Sequence, residues 1–522
     1  LSAGAAALSL PTGYQPLTVS SGLRAAATRE PSKIAMVLGD RTRTYAEMVA
    51  RVNRIANLCR GPLGLGLGAT AAVVSPNAME YLELVAGISD TGAAAATPNP
   101  KLSARELADI CNDAQVRAVF VHPECEDRLD PALLQTSPKI VRIGTELEAL
   151  LSQASDAFEP TGVQEWDVFS LPYTSGTTGK PKGVMLPHRA RTLAFLAYAT
   201  EYGVYSPDDR FLALSPFCHG AGFAFAFCSV FLGGTVEIMT RFDPAAVLTA
   251  IHKGEVTGLF TVPTHYHGIF GLEDRTLDRL RGNRLKGIVA NAAPLPQEMT
   301  ERIVDYFGPG LLHETYGSTE GGVVTNLRPK DQLRKIRCVG QPFVGNRVKL
   351  VGEDGAEVKR GEVGELFSTS NCLFSGYWNK PEQTAEAFRD GWVSVGDMAR
   401  QDEDGFYYIV DRKKDVVISG GINIYPREVE TALDAHPAIA ETAVIGAPDP
   451  RWGEQLVAYV VVAEGAQVSD AELDAFARAN LADYKRPKSF RRIDALPRNA
   501  NGKVLKTDLR KAFATAAPDP RP

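Results

Sequence analysis

The chain has 522 residues, 44% of them hydrophobic and 23% charged, which is several times a single domain of about 100–200 residues at ordinary globular composition. A small binding module is excluded, as is a mainly disordered, collagen-like or coiled-coil chain. With 56 Lys and Arg against 62 Asp and Glu, the formal charge is −6, too acidic for non-specific binding of a phosphate backbone, so nucleic acid is not an expected partner.

In chain order, the opening LSAGAAALSL has no basic n-region and reads as a trimmed end rather than a signal peptide. Short apolar or β-branched runs then alternate with helix-like stretches: AAVVSP before YLELVAGI, then RAVFVHP, TGLFTVP and KGIVANAAP. Each run stops at Pro, Asn or Gly, which is the rhythm of βαβ units on largely parallel sheets and predicts an α/β fold. After the strand-like VFSLP, the segment Tyr173-Thr-Ser-Gly-Thr-Thr-Gly-Lys-Pro-Lys-Gly183 packs hydroxyls, three glycines and two lysines. Glycines let a backbone approach an anion, Ser and Thr hydroxyls donate to phosphate oxygens, and Lys180 and Lys182 add charge, so the segment reads as a phosphate-gripping loop. It is not a Walker A loop, which needs Gly where Thr174 stands and Ser or Thr where Pro181 stands.

The apolar run from Ala221 to Val236 is shorter than the roughly 20 residues a membrane span needs and carries paired glycines, so a buried core helix is expected and no span. In PTHYHG, His265 and His267 lie two apart with no third ligand nearby, which reads as packing rather than a metal site. From about Val339 the texture turns to hairpin-rich strands, a small β-rich subdomain over about 339–410. The charged segment 411–415 then precedes a compact α+β pattern with a helix from Pro426 to about His436. The expected organisation is an N-terminal domain over 1–412, a connection at 413–415 and a small, mobile C-terminal α+β domain over 416–522. The seven cysteines are odd in number and form no CxxC pair, so they read as reduced intracellular thiols in a cytoplasmic protein.

The 173–183 string resembles the signature loop of the adenylate-forming superfamily, which contains acyl- and aryl-CoA synthetases, nonribosomal adenylation domains and firefly luciferase. Similar motifs follow in that family's order: Thr315-Tyr-Gly-Ser-Thr-Glu320; Gly364-Glu-Leu with Gly376-Tyr-Trp; Gly391-Trp with Gly396-Asp397; Asp411-Arg-Lys-Lys-Asp415 with Ser419-Gly-Gly421; and Pro497-Arg-Asn-Ala-Asn-Gly-Lys503. The resemblance implies that a carboxylate attacks the α-phosphate of MgATP to give an acyl-adenylate and pyrophosphate, and that a thiol then displaces AMP.

Carried over by position, the resemblance gives Thr174, Ser175, Gly176, Thr177, Thr178, Lys180 and Lys182 the β- and γ-phosphates. Thr319 would meet the α-phosphate, and Glu320 would ligate Mg²⁺, a hard cation suited to oxygen ligands. Tyr316 and Gly317, with the backbone of Asn291, Ala292 and Ala293, would form the adenine slot. Asp397, supported by Arg412, would accept from both ribose hydroxyls. Lys503 would neutralise charge growing between the substrate carboxylate and the α-phosphate. His219 would border the acyl pocket, Gly420 and Gly421 would leave room for a pantetheine arm, and Lys414 would be the hinge. The cluster Lys485, Arg486, Lys488, Arg491 and Arg492 is either a solvated face or a site for the phosphates of CoA.

Beyond His219 the chain runs GAGFAFAF with no acid to pair an ammonium, so an α-amino acid would bury an unpaired charge. The expected substrate is therefore a non-amino, apolar acid: aryl, alicyclic or medium- to long-chain acyl. Phe223, Phe225, Phe227 and Tyr266 are read as pocket lining or as ordinary core. The sequence departs from the family pattern at Asn291, where Gly is usual, at Val395, and at Ser368-Thr-Ser, changes that bear on pocket shape more than on the reaction. The expected partners are the acid, ATP and CoA, with a homodimer as the candidate assembly. Loading of a carrier-protein phosphopantetheine is the alternative to CoA, and a catalytically silent nucleotide sensor is the alternative of another class.

Overall fold

The computed structural model describes residues 13–175, 181–419, 422–498 and 504–515. The chain divides into two compact units, Leu1–Arg347 with Ser368–Val393, and Val348–Phe367 with Ser394–Pro522. The compact division falls within the β-rich stretch.

The first unit is built on sheets whose inner strands run parallel, as the alternating apolar rhythm predicts. In one sheet, the strands Lys139–Arg142, Ala118–Val121, Thr70–Val74, Ala94–Thr97 and Val168–Ser175 lie side by side in parallel. Thr70–Val74, Ala94–Thr97 and Ala118–Val121 are buried along their whole length, which is why they read as continuous small or β-branched runs: both sheet faces are covered. The crossover helix Ala104–Asp113 starts on a capping box in which Ser103 and Glu106 satisfy each other's backbone amides. After Val168–Ser175 the chain returns as the antiparallel strand Pro181–Gly183, pairing Tyr173 with Gly183, Thr174 with Lys182 and Ser175 with Pro181. The phosphate-loop string is thus anchored at both ends by a strand ladder.

The second sheet of this unit sets Thr235–Ile238, Arg210–Ala213, Gly258–Thr261, Gly287–Ala290 and Leu312–Ser318 in parallel, and then adds Gly322–Leu327 antiparallel. The apolar run beyond His219 is the helix Gly220–Leu232, closed by Gly233 in the left-handed region at φ 93°. Apolar around most of its circumference, it is wrapped by core on all sides. Phe225 stacks between Tyr198 and Phe260 with ring centroids 4.7 and 4.4 Å away, and Phe223 stacks on Phe227 at 5.1 Å. Tyr266 is fully buried with its hydroxyl 2.7 Å from Thr261 Oγ1. This aromatic stripe is core, not pocket lining. Among the described residues, no helix is long and apolar enough to cross a membrane.

Glu83, fully buried, takes Arg43 Nε at 3.1 Å and Arg51 Nε at 2.7 Å. Burial nevertheless pushes its carboxyl above the usual range, with the two arginines opposing.

In the second unit the strands Asp397–Gln401 and Tyr407–Arg412 form a hairpin, and Val363, Gly364 and Glu365 pair with Arg400, Ala399 and Met398. The long antiparallel pair Ile439–Asp449 and Gly453–Val462 carries the helices Pro426–Asp434 and Asp470–Asn480, and Ser489–Arg492 adds in parallel. The 411–415 segment is more than a solvated connection, because both of its acids are buried. Asp411 accepts from the backbone N–H of Arg412 at 2.7 Å and of Arg427 at 2.8 Å, satisfying an orphan amide of the 426–434 helix. Asp415 pairs with Arg510 at 3.0 Å.

His188 makes the fold sensitive to acid. It is fully buried, its Nδ1 accepts from the Val19 N–H at 3.0 Å, and burial pushes its pKa down to about 3. The unfolded chain takes up this proton near pH 6.5, whereas the folded chain refuses it until about pH 3. Stability from this group is therefore complete above pH 6.5 and falls as pH drops through that window, by at most about 1.4 kcal/mol per pH unit. Buried His265 and His313, both lowered to about 4, act in the same direction. Denaturant midpoints measured from pH 7 to pH 4.5 should fall, and His188→Gln should flatten that dependence relative to the parent chain.

Candidate functional site

The described part of the phosphate-loop string is held from two sides. On one side, the Tyr173 hydroxyl donates to Asp113 Oδ2 at 2.9 Å, and Lys380 Nζ reaches the other oxygen of the same carboxylate at 2.7 Å. Asp113, the last residue of its helix, so ties the strand entering the loop to the segment around 380. On the other side, residues 374–378 lie along the strand leaving the loop. Met185 N–H donates to Gly376 O at 2.9 Å, Ser375 N–H to Met185 O at 2.9 Å and Trp378 N–H to Gly183 O at 2.8 Å.

The 374–378 segment brings Tyr377 to Glu320. The Tyr377 hydroxyl donates to Glu320 Oε1 at 2.8 Å, and Phe374 N–H donates to Glu320 O at 2.9 Å. Lys182 Nζ sits over the Tyr377 ring, 4.8 Å from its centroid, a cation–π contact. Burial and the neighbouring Glu320 raise the Tyr377 pKa, so its hydroxyl keeps its proton and remains a donor. Motifs far apart in sequence thereby meet at one ring: the loop through Lys182, TYGSTE through Glu320, and GYW through Tyr377. Sequence reasoning places Tyr377 in a motif but gives it no role. Asp113 and Lys380 carry no local signal at all.

Glu320 is 8% exposed and, among the described residues, takes one neutral donor and no basic partner. A buried carboxylate left uncompensated in this way fits a hard divalent cation, which supplies the missing positive charge and prefers oxygen ligands.

Thr315 to Ser318 end the strand Leu312–Ser318 beside the Gly287–Ala290 strand. Asn291 comes directly after the latter. Its Nδ2 donates to Thr315 Oγ1 at 2.8 Å, and its Oδ1 accepts from the Ala292 N–H. The amide nitrogen thus joins two strand ends, while the oxygen serves the backbone of the next residue. Ala292 is held at φ 78°, a left-handed conformation costing a non-glycine residue about 1–3 kcal/mol. Backbone strain therefore sits in the segment the resemblance assigns to adenine. At Gly317 a Cβ would fall 2.0 Å from Gly322 O, so no other residue fits.

His219 is the N-cap residue of the Gly220–Leu232 helix, and its side chain makes no capping hydrogen bond. Burial, with Lys101 adding to it, pushes its pKa down, leaving a neutral ring at neutral pH. Thr319 lies near the start of that helix: a methyl on Gly220 would contact Thr319 Cγ2 at 3.7 Å.

In the second unit, Asp397 and Arg412 are register partners across the hairpin, and Arg412 Nε approaches Asp397 Oδ1 at 3.2 Å. Asp397 is 6% exposed. Partial burial, with smaller contributions from Arg412 and Arg510, pushes the Lys414 ammonium pKa down. Much of the basic cluster is occupied internally: Lys485 pairs with Glu428, Arg486 with Asp483 and Asp474, and Arg492 with Asp470, while Arg491 lies over Phe513. His265 Nδ1 accepts from the Val262 N–H at 3.1 Å and so serves the start of its own helix. Gly176, Thr177, Thr178, Lys180, Gly420, Gly421 and Lys503 lie outside the described residues, and only the backbone of Ser175 is described.

The profile of the AMP-binding enzyme family matches residues 23–378, and that of the AMP-binding enzyme C-terminal domain matches residues 428–503. The chain is 37% identical over 493 residues to a feruloyl-CoA synthase from an Amycolatopsis species, covering 93% of this chain and 97% of that one. Among solved structures it is similar to ATP-bound MatB from Rhodopseudomonas palustris, with a TM-score of 0.87, 30% identity, and coverage of 96% of this chain and 99% of that one. It is also similar to o-succinylbenzoate coenzyme A synthetase from Bacillus subtilis in complex with ATP and magnesium ion, with a TM-score of 0.84, 30% identity, and coverage of 95% and 99%.

If Tyr377 positions the Glu320 carboxylate, Tyr377→Phe removes one hydrogen bond and keeps the ring under Lys182. Magnesium-dependent ATP affinity should weaken about threefold to tenfold, and Glu320→Gln, which removes the charge, should weaken it further. Titration of ATP at several magnesium concentrations separates the two. Equal affinities for parent and Tyr377→Phe at every magnesium level would remove the positioning role.

Proposed function

The chain belongs to the AMP-binding enzyme family, and on that premise we propose that it is an ATP-dependent acyl-CoA synthetase acting on a non-amino carboxylic acid. The observation that carries the reading is the convergence of the phosphate-loop hairpin, through Lys182 and Tyr377, on Glu320, which is buried and has no basic partner among the described residues.

In the first half-reaction a carboxylate oxygen attacks the α-phosphorus of ATP. The bond from that phosphorus to the bridging oxygen breaks, and pyrophosphate leaves. Thr174, Ser175, Gly176, Thr177, Thr178, Lys180 and Lys182 hold the departing phosphates, Thr319 meets the α-phosphate, and Glu320 holds magnesium, which when bound neutralises phosphate charge. Tyr316 and Gly317, with Asn291, Ala292 and Ala293, face adenine, and Asp397 with Arg412 takes the ribose hydroxyls. Lys503 offsets charge that grows between the carboxylate and the α-phosphate. In the second half-reaction the CoA sulfur attacks the acyl carbonyl and the carbon–oxygen bond to AMP breaks, with Gly420 and Gly421 beside the thiol path.

The substrate is not an α-amino acid, because the Gly220–Leu232 helix presents no carboxylate to an ammonium. The seven cysteines, all free thiols, support a reducing, cytoplasmic setting. Pyrophosphate release across aryl, alicyclic, short- and long-chain acids, with and without CoA, tests the function. Acid-dependent release and a thioester product are expected, and release with no acid at all would overturn the proposal.

Lys503→Ala should nearly abolish acyl-adenylate formation yet spare thioester formation from supplied acyl-adenylate, since its charge serves the first step alone. Equal losses in single-turnover assays of both halves would remove that role. Lys414, proposed as the hinge, gives a complementary test. Proline there fixes φ near −65°, so Lys414→Pro should keep most pyrophosphate release and lose most thioester formation. Near-normal thioester turnover by the folded variant would exclude a hinge at 414.

A further inference from the structure

Asp113 is the last residue of the helix Ala104–Asp113, the end at which the backbone dipole disfavours an acid. The helix gains nothing from a carboxylate there, and both of its printed partners lie elsewhere. Oδ2 accepts from the Tyr173 hydroxyl at 2.9 Å, and Oδ1 accepts from Lys380 Nζ at 2.7 Å. The helix buries Leu107, Ala108, Ile110 and Cys111, so the carboxylate stands on an element that core packing holds in place.

The Tyr173 arm bears on the phosphate loop. Tyr173 and Gly183 are register partners across the two strands that bracket the loop. A Cβ at position 183 would lie 3.0 Å from Tyr173 Cζ and 3.1 Å from its hydroxyl oxygen, so the strand leaving the loop runs close against the hydroxyl end of the phenol. Where that hydroxyl is anchored therefore sets where the strand lies. Burial and the Asp113 charge raise the Tyr173 pKa, so the phenol keeps its proton and stays a donor.

The Lys380 arm bears on Glu320. Lys380 and Tyr377 belong to one turn: the Lys380 N–H donates to Tyr377 O at 3.2 Å, Thr384 Oγ1 donates to Lys380 O at 2.8 Å, and the Tyr377 N–H donates to Thr384 Oγ1 at 2.9 Å. A Cβ at Gly376 would lie 2.7 Å from Thr384 Cγ2, so the threonine is packed closely against the same turn. One hydroxyl thus joins Lys380 to Tyr377, and Tyr377 in turn donates to Glu320 at 2.8 Å.

We propose that Asp113 is a positioning residue for adenylation: holding Tyr173 with one oxygen and Lys380 with the other, it sets the separation between the phosphate loop and the Glu320 carboxylate. The inference rests on the acyl-CoA synthetase reading and deepens it, because ATP bound with magnesium must meet the loop and Glu320 at once. A separation fixed before the nucleotide arrives avoids the ordering cost of binding. Asp113 needs no contact with ATP for this role.

The test titrates ATP calorimetrically at several magnesium concentrations and follows each half-reaction in single turnovers. Asp113→Ala should weaken magnesium-dependent ATP binding and slow acyl-adenylate formation by about tenfold or more, with thioester formation from supplied acyl-adenylate within about twofold of the parent. Asp113→Asn, which keeps the shape and one acceptor, should show a smaller loss and serves if Asp113→Ala does not fold. Tyr173→Phe and Lys380→Met should each weaken ATP binding in the parent background and add no further loss to Asp113→Ala. Melting temperatures are measured on every variant. Unchanged ATP affinity in Asp113→Ala, or equal losses in both half-reactions with a lowered melting temperature, would overturn the proposal, the second result leaving Asp113 a purely structural acid. A parent that binds magnesium and ATP but releases no pyrophosphate with any acid loses the synthetase reading, and the titrations still decide the positioning role.

Discussion

The hydrogen bond from Tyr377 to Glu320 is the contact on which the first unit's chemistry depends. A hydrogen bond to a carboxylate is worth about 1.5–3 kcal/mol, and this one fixes a buried acid that, among the described residues, has no basic partner. Its geometry is inherited from backbone pairing. Residues 374–378 are laced to the strand leaving the phosphate loop and to the Glu320 carbonyl by N–H···O bonds of 2.8–2.9 Å. The carboxylate therefore keeps its place without being neutralised. A metal ligand needs both conditions, and a salt bridge would supply only the first.

Much of the architecture is legible in the sequence because its signals are local. The runs AAVV and TGLFT stop at turn residues and form fully buried strands, and the apolar stretch after His219 forms a helix of the length its glycines allow. The same stretch shows where local reading stops. Phe223, Phe225, Phe227 and Tyr266 match a ligand pocket and a core equally well in one dimension, and stacking against Tyr198 and Phe260, from other elements, decides for core. The 411–415 segment misleads for a related reason. Five charged residues look solvated, yet Asp411 and Asp415 are consumed by an amide and an arginine supplied 16 and 95 residues later.

Charge is handled by a consistent rule. Glu83 is enclosed between two guanidinium groups, Asp90 receives one, and Asp209 receives the Lys286 ammonium. Against this background Glu320 stands out, among the described residues, as a buried acid without a basic partner. A lone Glu is ordinarily a surface residue, so Glu320 is reached only through the motif it completes. Exceptions to local charge balance are where an ion from outside the chain has somewhere to go.

The Asp113 carboxylate serves two clients, the Tyr173 hydroxyl and the Lys380 ammonium, from positions 60 and 267 residues away in sequence. Losing the acid would leave a cation and a hydroxyl without their acceptor at the base of the phosphate loop. Losing either client would leave an acid half satisfied in partly buried surroundings. The three positions are therefore free to drift only together. Over evolutionary time they should change as a set, and a transplanted phosphate loop would need its own residues at 113 and 380 to sit at the height it has here.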